Sequence, residues 1–271
     1  NPDQLKDIIA KKRESGIFLS VLGFGQGNYN DHIMQSLAQN GNGVAAYIDT
    51  LSEARKVLVE EATSSLFPIA KDVKIQVEFN PSTVAEYRLI GYETRALNRE
   101  DFNNDKVDAG DIGAGHTVTA IYEITPVGSK AASMDPLRYG ASPKTSDTEE
   151  TKANTEFGQE YAFLKMRYKL PNEDTSRLIT TPINEDSQPA YLNVEEDGAF
   201  TCPELHGSLC EQVTFSTAVA AFGQKLKNDK YLGSYSYDDI IKLAENSRGE
   251  DKFGYRNEFI NLVRLAKSID N

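Results

Sequence analysis

The sequence predicts an α+β chain in two parts: a parallel α/β segment, then an antiparallel, sandwich-like β-rich domain closed by helices. Three observations carry this. Residues 1–66 alternate helical and strand patterns, the grammar of a parallel sheet. From about residue 72 the apolar period drops to two, as in Val73-Lys-Ile-Gln-Val-Glu-Phe79. After about residue 205 the period is helical again. The division expected is residues 1–69 and 70–271, with closing helices over about 205–271.

The first part opens on a helix over residues 2–15, with Asn1 as N-cap, Pro2 as first helical residue and Gly16 as its stop. Ile17–Gly25 reads as a strand buried on both faces. Asp31–Gln39 is a helix ended by Asn40-Gly-Asn-Gly43, and Val44–Ile48 is a second strand. Thr50 or Ser52 caps a helix reaching Leu66, with Ala54, Val57, Leu58 and Ala62 inward. A helix and a buried strand with no strand ahead of them suggest a domain entered part-way through.

In the second part, strands are expected over Val73–Phe79, Val84–Tyr92, Thr117–Thr125 and Tyr161–Leu170, the last with Arg167 and Lys169 facing out. Pro81 breaks the first of these, and shorter strands follow between Arg177 and Phe200. Gly128–Gln159 is a polar insert expected to be mobile. Closing helices span Glu211–Lys227, with Val213, Phe215, Val219 and Phe222; Tyr237–Asn246, with Ile240, Ile241 and Leu243; and Asn257–Ser268, with Phe259, Ile260, Leu262, Val263 and Leu265.

Composition narrows the function classes. Lys and Arg number 29 against 41 Asp and Glu, a net charge of −12. That balance argues against a nucleic-acid partner, whose phosphates need clustered cations. No apolar run reaches the roughly 20 residues of a membrane-spanning helix. Cys202 and Cys210 bracket a short loop. A disulfide there would contribute about 2–3 kcal/mol, and two reduced thiols are the alternative.

Several motifs approach a chemistry and miss it. Gly23-Phe-Gly25-Gln-Gly27, with Asp49 ending the next strand, has the outline of a dinucleotide-binding turn. Its third glycine is Asn28 or Asn30, depending on where the count starts, and a side chain there obstructs the close approach of helix and strand. Asp101-Phe-Asn103-Asn-Asp105 begins like a calcium loop, but Lys106 and Ile112 replace the required glycine and glutamate. Asp101, Asp105, Asp108 and Asp111 remain as a solvated acidic loop or a weak cation site. His116 enters a strand without a paired nucleophile or acid, and His32 and His206 form no cluster with it. No catalytic, cofactor-binding or metal-binding residue is assigned.

Ile17–Gly25, Gly27-Asn-Tyr-Asn-Asp31, Gly41-Asn-Gly43 with Tyr47-Ile-Asp49, and Glu53-Ala-Arg-Lys-Val-Leu58 resemble the end of a von Willebrand factor A domain. More narrowly they resemble the YfbK-like bacterial envelope proteins. Tyr87-Arg-Leu-Ile-Gly-Tyr92, Gly113-Ala-Gly-His-Thr-Val-Thr119 and Phe253-Gly-Tyr-Arg-Asn-Glu-Phe259 are similar to the domain that follows it in that family. The resemblance implies a truncated A domain whose adhesion-site ligands lie ahead of Asn1, so no metal ligand is carried over. A divalent cation, magnesium by preference, is expected only with that missing part. It further implies a non-catalytic interaction module of the bacterial envelope, periplasmic or surface-exposed, with a protein partner. A hydrolase using His116 and the acidic loop 101–111, or a structural spacer, are the competing expectations.

Overall fold

The computed structural model describes residues 2–15, 17–25, 27, 29–61, 67–91, 97–107, 109–134, 157–184, 193–194, 200–201, 209–228 and 230–270. The chain divides into two compact units. One comprises residues 1–76, 97–118 and 165–179; the other comprises 77–96, 119–164 and 180–271.

In the first unit α1 (Pro2–Glu14) leads to β1 (Val21–Phe24), α2 (Asp31–Asn40), β2 (Ala45–Ile48) and α3 (Leu51–Arg55). β1 and β2 pair in parallel, Val21 opposite Ala45 and Phe24 opposite Ile48, with α2 as the crossover. Asn30 caps α2 by accepting from the Ile33 N–H at 3.1 Å, and Thr50 caps α3 by accepting from Glu53 at 3.1 Å. A glycine is required at position 43, because a Cβ there would run into the Leu19 carbonyl where the chain passes the end of α2.

Two expectations for this region are corrected. The strand is shorter than Ile17–Gly25 and is not buried on both faces: Ile17 is 56% exposed and Phe24 66%. β1 belongs to a two-stranded sheet, which does not enclose both of its faces. The helix after Thr50 passes into a π-helical turn at Lys56–Glu60, which rotates its register and leaves Leu58 half exposed. Asn1 and residues 62–66 lie outside the described residues.

β3 (Pro68–Phe79), β5 (Gly110–Gly113), β7 (Glu160–Lys169) and β8 (Arg177–Asn184) form a four-stranded sheet in the order β5-β3-β7-β8. The antiparallel β3–β5 ladder slips register twice, between Pro68 and Ala70 and between Ala70 and Val73. Asp72 sits in the second slip with φ at 51°. Such bulges re-aim side chains. Against the expected alternation, Lys74 is therefore buried at 4% exposure and Ile75 is exposed. Lys169 is likewise buried rather than outward, because the Asp72 carboxylate meets its ammonium at 2.7 Å.

In the second unit β4 (Val84–Ile90) pairs antiparallel with β6 (Ile121–Pro126), which starts later than the expected Thr117. The Asn80-Pro81 turn before β4 is fixed by the Asn80 amide, which donates to the Phe157 and Glu160 carbonyls at 2.9 Å each. β9 (Asn193–Val194) pairs antiparallel with β10 (Phe200–Thr201). Most of the polar insert, residues 135–156, lies outside the described residues.

The closing helices are α4 (Leu209–Leu226), α5 (Tyr237–Asn246) and α6 (Tyr255–Asp270). α5 packs against both α4 and α6, burying Ala218, Ala221, Ile240, Leu243, Ala244, Ile260 and Val263. α4 turns inward a stripe of small and polar residues, Cys210, Thr214, Ala218, Ala221 and Gln224. Small side chains let helices approach closely, so Val213 and Val219 are left exposed, as are Leu262 and Leu265 on α6. Phe215, Phe222 and Phe259 close the seam edge to face.

Candidate functional site

An open cleft of about 580 Å³ lies where β1 ends and α2 begins. In open α/β sheets ligands bind outside the carboxyl ends of the strands, where this cleft sits. Backbone of Gly23, Gly25 and Gly27 forms one wall, and Phe24, Tyr29, Ile33 and Met34 supply the apolar lining. Gly23 is needed for that lining: a Cβ there would stand 2.8 Å from the Tyr29 ring and 3.1 Å from the Met34 methyl. Gly25 turns the chain with φ at 79°, a backbone that glycine tolerates best.

The aromatic wall is braced. The Tyr47 hydroxyl donates to the Gly25 carbonyl, and the Tyr29 and Tyr47 rings lie 4.6 Å apart at 55°. The Tyr29 hydroxyl donates to an Asp31 carboxylate oxygen at 3.0 Å. Partial burial first, and then that bond, push the Tyr29 phenol above its ordinary pKa. Phe24 at 66% exposure and Ile33 at 39% remain open to solvent.

The acidic loop is committed to internal contacts. The Lys74 ammonium donates to the carbonyls of Asp101, at 3.3 Å, and Asn104. Lys169 donates to Asp72 and to the Asp105 carbonyl, both at 2.7 Å. The Asp105 carboxylate accepts from the Ser176 hydroxyl at 2.6 Å and lies 3.4 Å from the Arg167 guanidinium. These contacts, the Ser176 hydroxyl foremost, hold the Asp105 carboxyl below its usual pKa. Asp111 accepts from the Asp72 N–H at 3.1 Å and the Asn42 amide at 3.3 Å. Asp101 accepts from the Asn98 amide at 3.1 Å. Two lysine ammonium groups thus sit against the backbone of this loop, on the carbonyls of Asp101, Asn104 and Asp105.

The remaining sequence candidates do not converge. Asp108, Cys202 and His206 lie outside the described residues. Cys210 is disulfide-bonded, and the chain has one other cysteine, Cys202. His116 is exposed and its N–H donates to the Gly113 carbonyl at 3.1 Å. His32 is exposed on α2. Among the described residues no three His, Cys, Asp or Glu side chains gather as a metal-holding group. Sequence reasoning named the glycine turn but missed Phe24, Tyr29 and Ile33, whose signal was an aromatic on either side of a strand-to-helix glycine loop.

A model of the family described as "Uncharacterized protein YfbK, C-terminal" matches residues 64–269. The chain belongs to that family. It is 44% identical over 269 residues to "Uncharacterized protein YfbK" of Escherichia coli (strain K12), covering 99% of this chain and 42% of that protein. The chain therefore spans less than half the length of this relative. No solved structure matches it. No described helix is long and apolar enough to cross a membrane.

Proposed function

We propose that this chain is a non-catalytic protein-interaction module of the bacterial cell envelope. In this reading residues 1–69 are the closing part of a von Willebrand A-like domain, supported by the parallel β1–β2 pair joined through α2. The observation that carries it is the cleft at the carboxyl end of β1. There Phe24 and Ile33 stand exposed over a glycine backbone, an apolar recess suited to side chains of a partner. The disulfide at Cys210 supports the envelope, since such bonds persist in oxidising compartments. No cofactor is part of this reading.

The test is affinity capture from a cell-envelope extract with the wild-type chain and with a Phe24→Asp/Ile33→Asp variant. Both positions are exposed, so circular dichroism should show an unchanged fold. A partner retained by the wild type and lost by the variant is expected. Identical capture by both, or none by either, rejects the cleft as the binding surface.

A further inference from the structure

The chemistry of the cleft and its rim specifies the partner more closely; this step rests on the interaction reading above. We infer that the cleft takes a protein segment in which a Lys or Arg lies beside an aliphatic or aromatic side chain.

Charge is the first argument. Between Arg13 and Arg55 the sequence holds no Lys or Arg, while Asp31 and Asp49 both fall at the carboxyl end of the strands. Asp49 follows Ile48, the residue opposite Phe24 in the parallel ladder, and Asp31 opens α2. Both carboxylates are exposed. Lys11, Lys12 and Arg13 close α1, and Arg13 donates to the Asn40 carbonyl at the far end of α2; the other basic residues of this region are Lys6 on α1 and, after Asp49, Arg55 and Lys56, the last paired with Glu61. The carboxyl ends of β1 and β2 thus lead into two exposed carboxylates, Asp31 and Asp49, while three cations gather where α1 closes. A field of this kind favours a cationic partner at the cleft.

Geometry is the second argument. The Tyr29 ring forms part of the cleft wall and its hydroxyl is bonded to Asp31, so an aromatic face and a carboxylate stand side by side. That pairing suits an ammonium or guanidinium, through the ring and the carboxylate together. Phe24, Ile33 and Met34 leave an adjacent recess for an apolar side chain. The α2 amino end would by itself attract an anion. Here the Asn30 side chain satisfies the Ile33 N–H and Asp31 places a carboxylate in the first turn, so that end is already answered from within the chain.

Selection of a random phage-displayed peptide library on the full chain tests the inference. Selected peptides should pair Lys or Arg with Leu, Ile, Phe or Tyr. The synthetic form of the best one should bind the wild type, and added salt should weaken it. Phe24→Ser should weaken it about tenfold. Asp31→Asn/Asp49→Asn should weaken it about threefold, while leaving an acceptor for the Tyr29 hydroxyl. Acidic or uncharged peptides, peptides indifferent to these substitutions, or none at all overturn the inference. Envelope capture that depends on Phe24 alongside non-basic peptides would reject this inference and leave the cleft reading standing; capture indifferent to Phe24 would reject both.

Discussion

Ile240, Ala244 and Val263 in the closing helices are completely buried among apolar neighbours, whereas beside the Arg99–Asn103 turn two buried lysines, Lys74 and Lys169, hold their ammonium groups on the carbonyls of Asp101, Asn104 and Asp105. The helical region removes methyl groups from water, a term proportional to area and indifferent to direction. The loop region instead holds charges out of water, which is stable only while each keeps its partners. Damage to the first should be graded by volume, and damage to the second by whether a charge is left alone.

The largest effect is expected from Ile240→Ala. The side chain has 0% exposure and three helices meet around it, so the cavity cannot collapse easily. A loss of about 3–4 kcal/mol in urea unfolding is expected. A loss under about 1 kcal/mol would mean the helical core is loosely packed and the comparison fails at its firmer end.

Next comes Asp72, where the two possible substitutions separate backbone from charge. Asp72→Ala should cost about 2–3 kcal/mol, since it frees the Lys169 ammonium, drops the Ala109 N–H bond and places alanine at positive φ. Asp72→Asn keeps an acceptor and tolerates that backbone, so about 1–2 kcal/mol is expected. Adding Lys169→Met to Asp72→Asn should return part of that loss, because the buried cation goes with its counterion. If the double variant is no more stable than the single, the pair is not the organising contact of this region.

The two regions also differ in how far the sequence disclosed them. Tyr237–Asn246 is a helix to the residue, because Ser236, the apolar positions and the acidic first turn all point the same way. The inward face of α4 is legible in part: Phe215 and Phe222 pack against the core as their hydrophobicity suggests, but Val213 and Val219 stay exposed because close approach favours Ala218 and Ala221. Alternation along β3 gave a strand but the wrong face at Lys74. The slip at Asp72 depends on a left-handed backbone and a distant lysine, and neither has a local signal. The cleft was half legible: the glycines showed, but the rings across them depend on the β1–β2 register.

A smaller effect should come from the cap of α5. Ser236 accepts from the Asp239 N–H at 3.2 Å, and Asp239 accepts from the Ser236 N–H at 2.8 Å. Ser236→Ala should lower stability by about 1 kcal/mol. This sharpens the comparison by showing that a polar contact on the helical region's surface matters less than one beneath the acidic loop. A loss as large as that of Ile240→Ala would contradict it.

The smallest effect is a change in pH dependence at Asp105. Its folded pKa is lowered, chiefly by the Ser176 hydroxyl, so it adds stability above the unfolded carboxylate range and loses it as pH falls through the folded value. Ser176→Ala removes the hydroxyl donor and moves the folded pKa back up, leaving the N–H of residue 176 and Arg167 as weaker supports. The variant should therefore be less stable than the wild type near neutral pH, and the gap should close as acid protonates Asp105 in both. Urea unfolding from about pH 7 down to about pH 3 reads that gap directly. A gap that stays constant would mean Ser176 acts through packing alone. A widening gap would reverse the sign argued for the carboxylate, and the loop would then not be held by its charges.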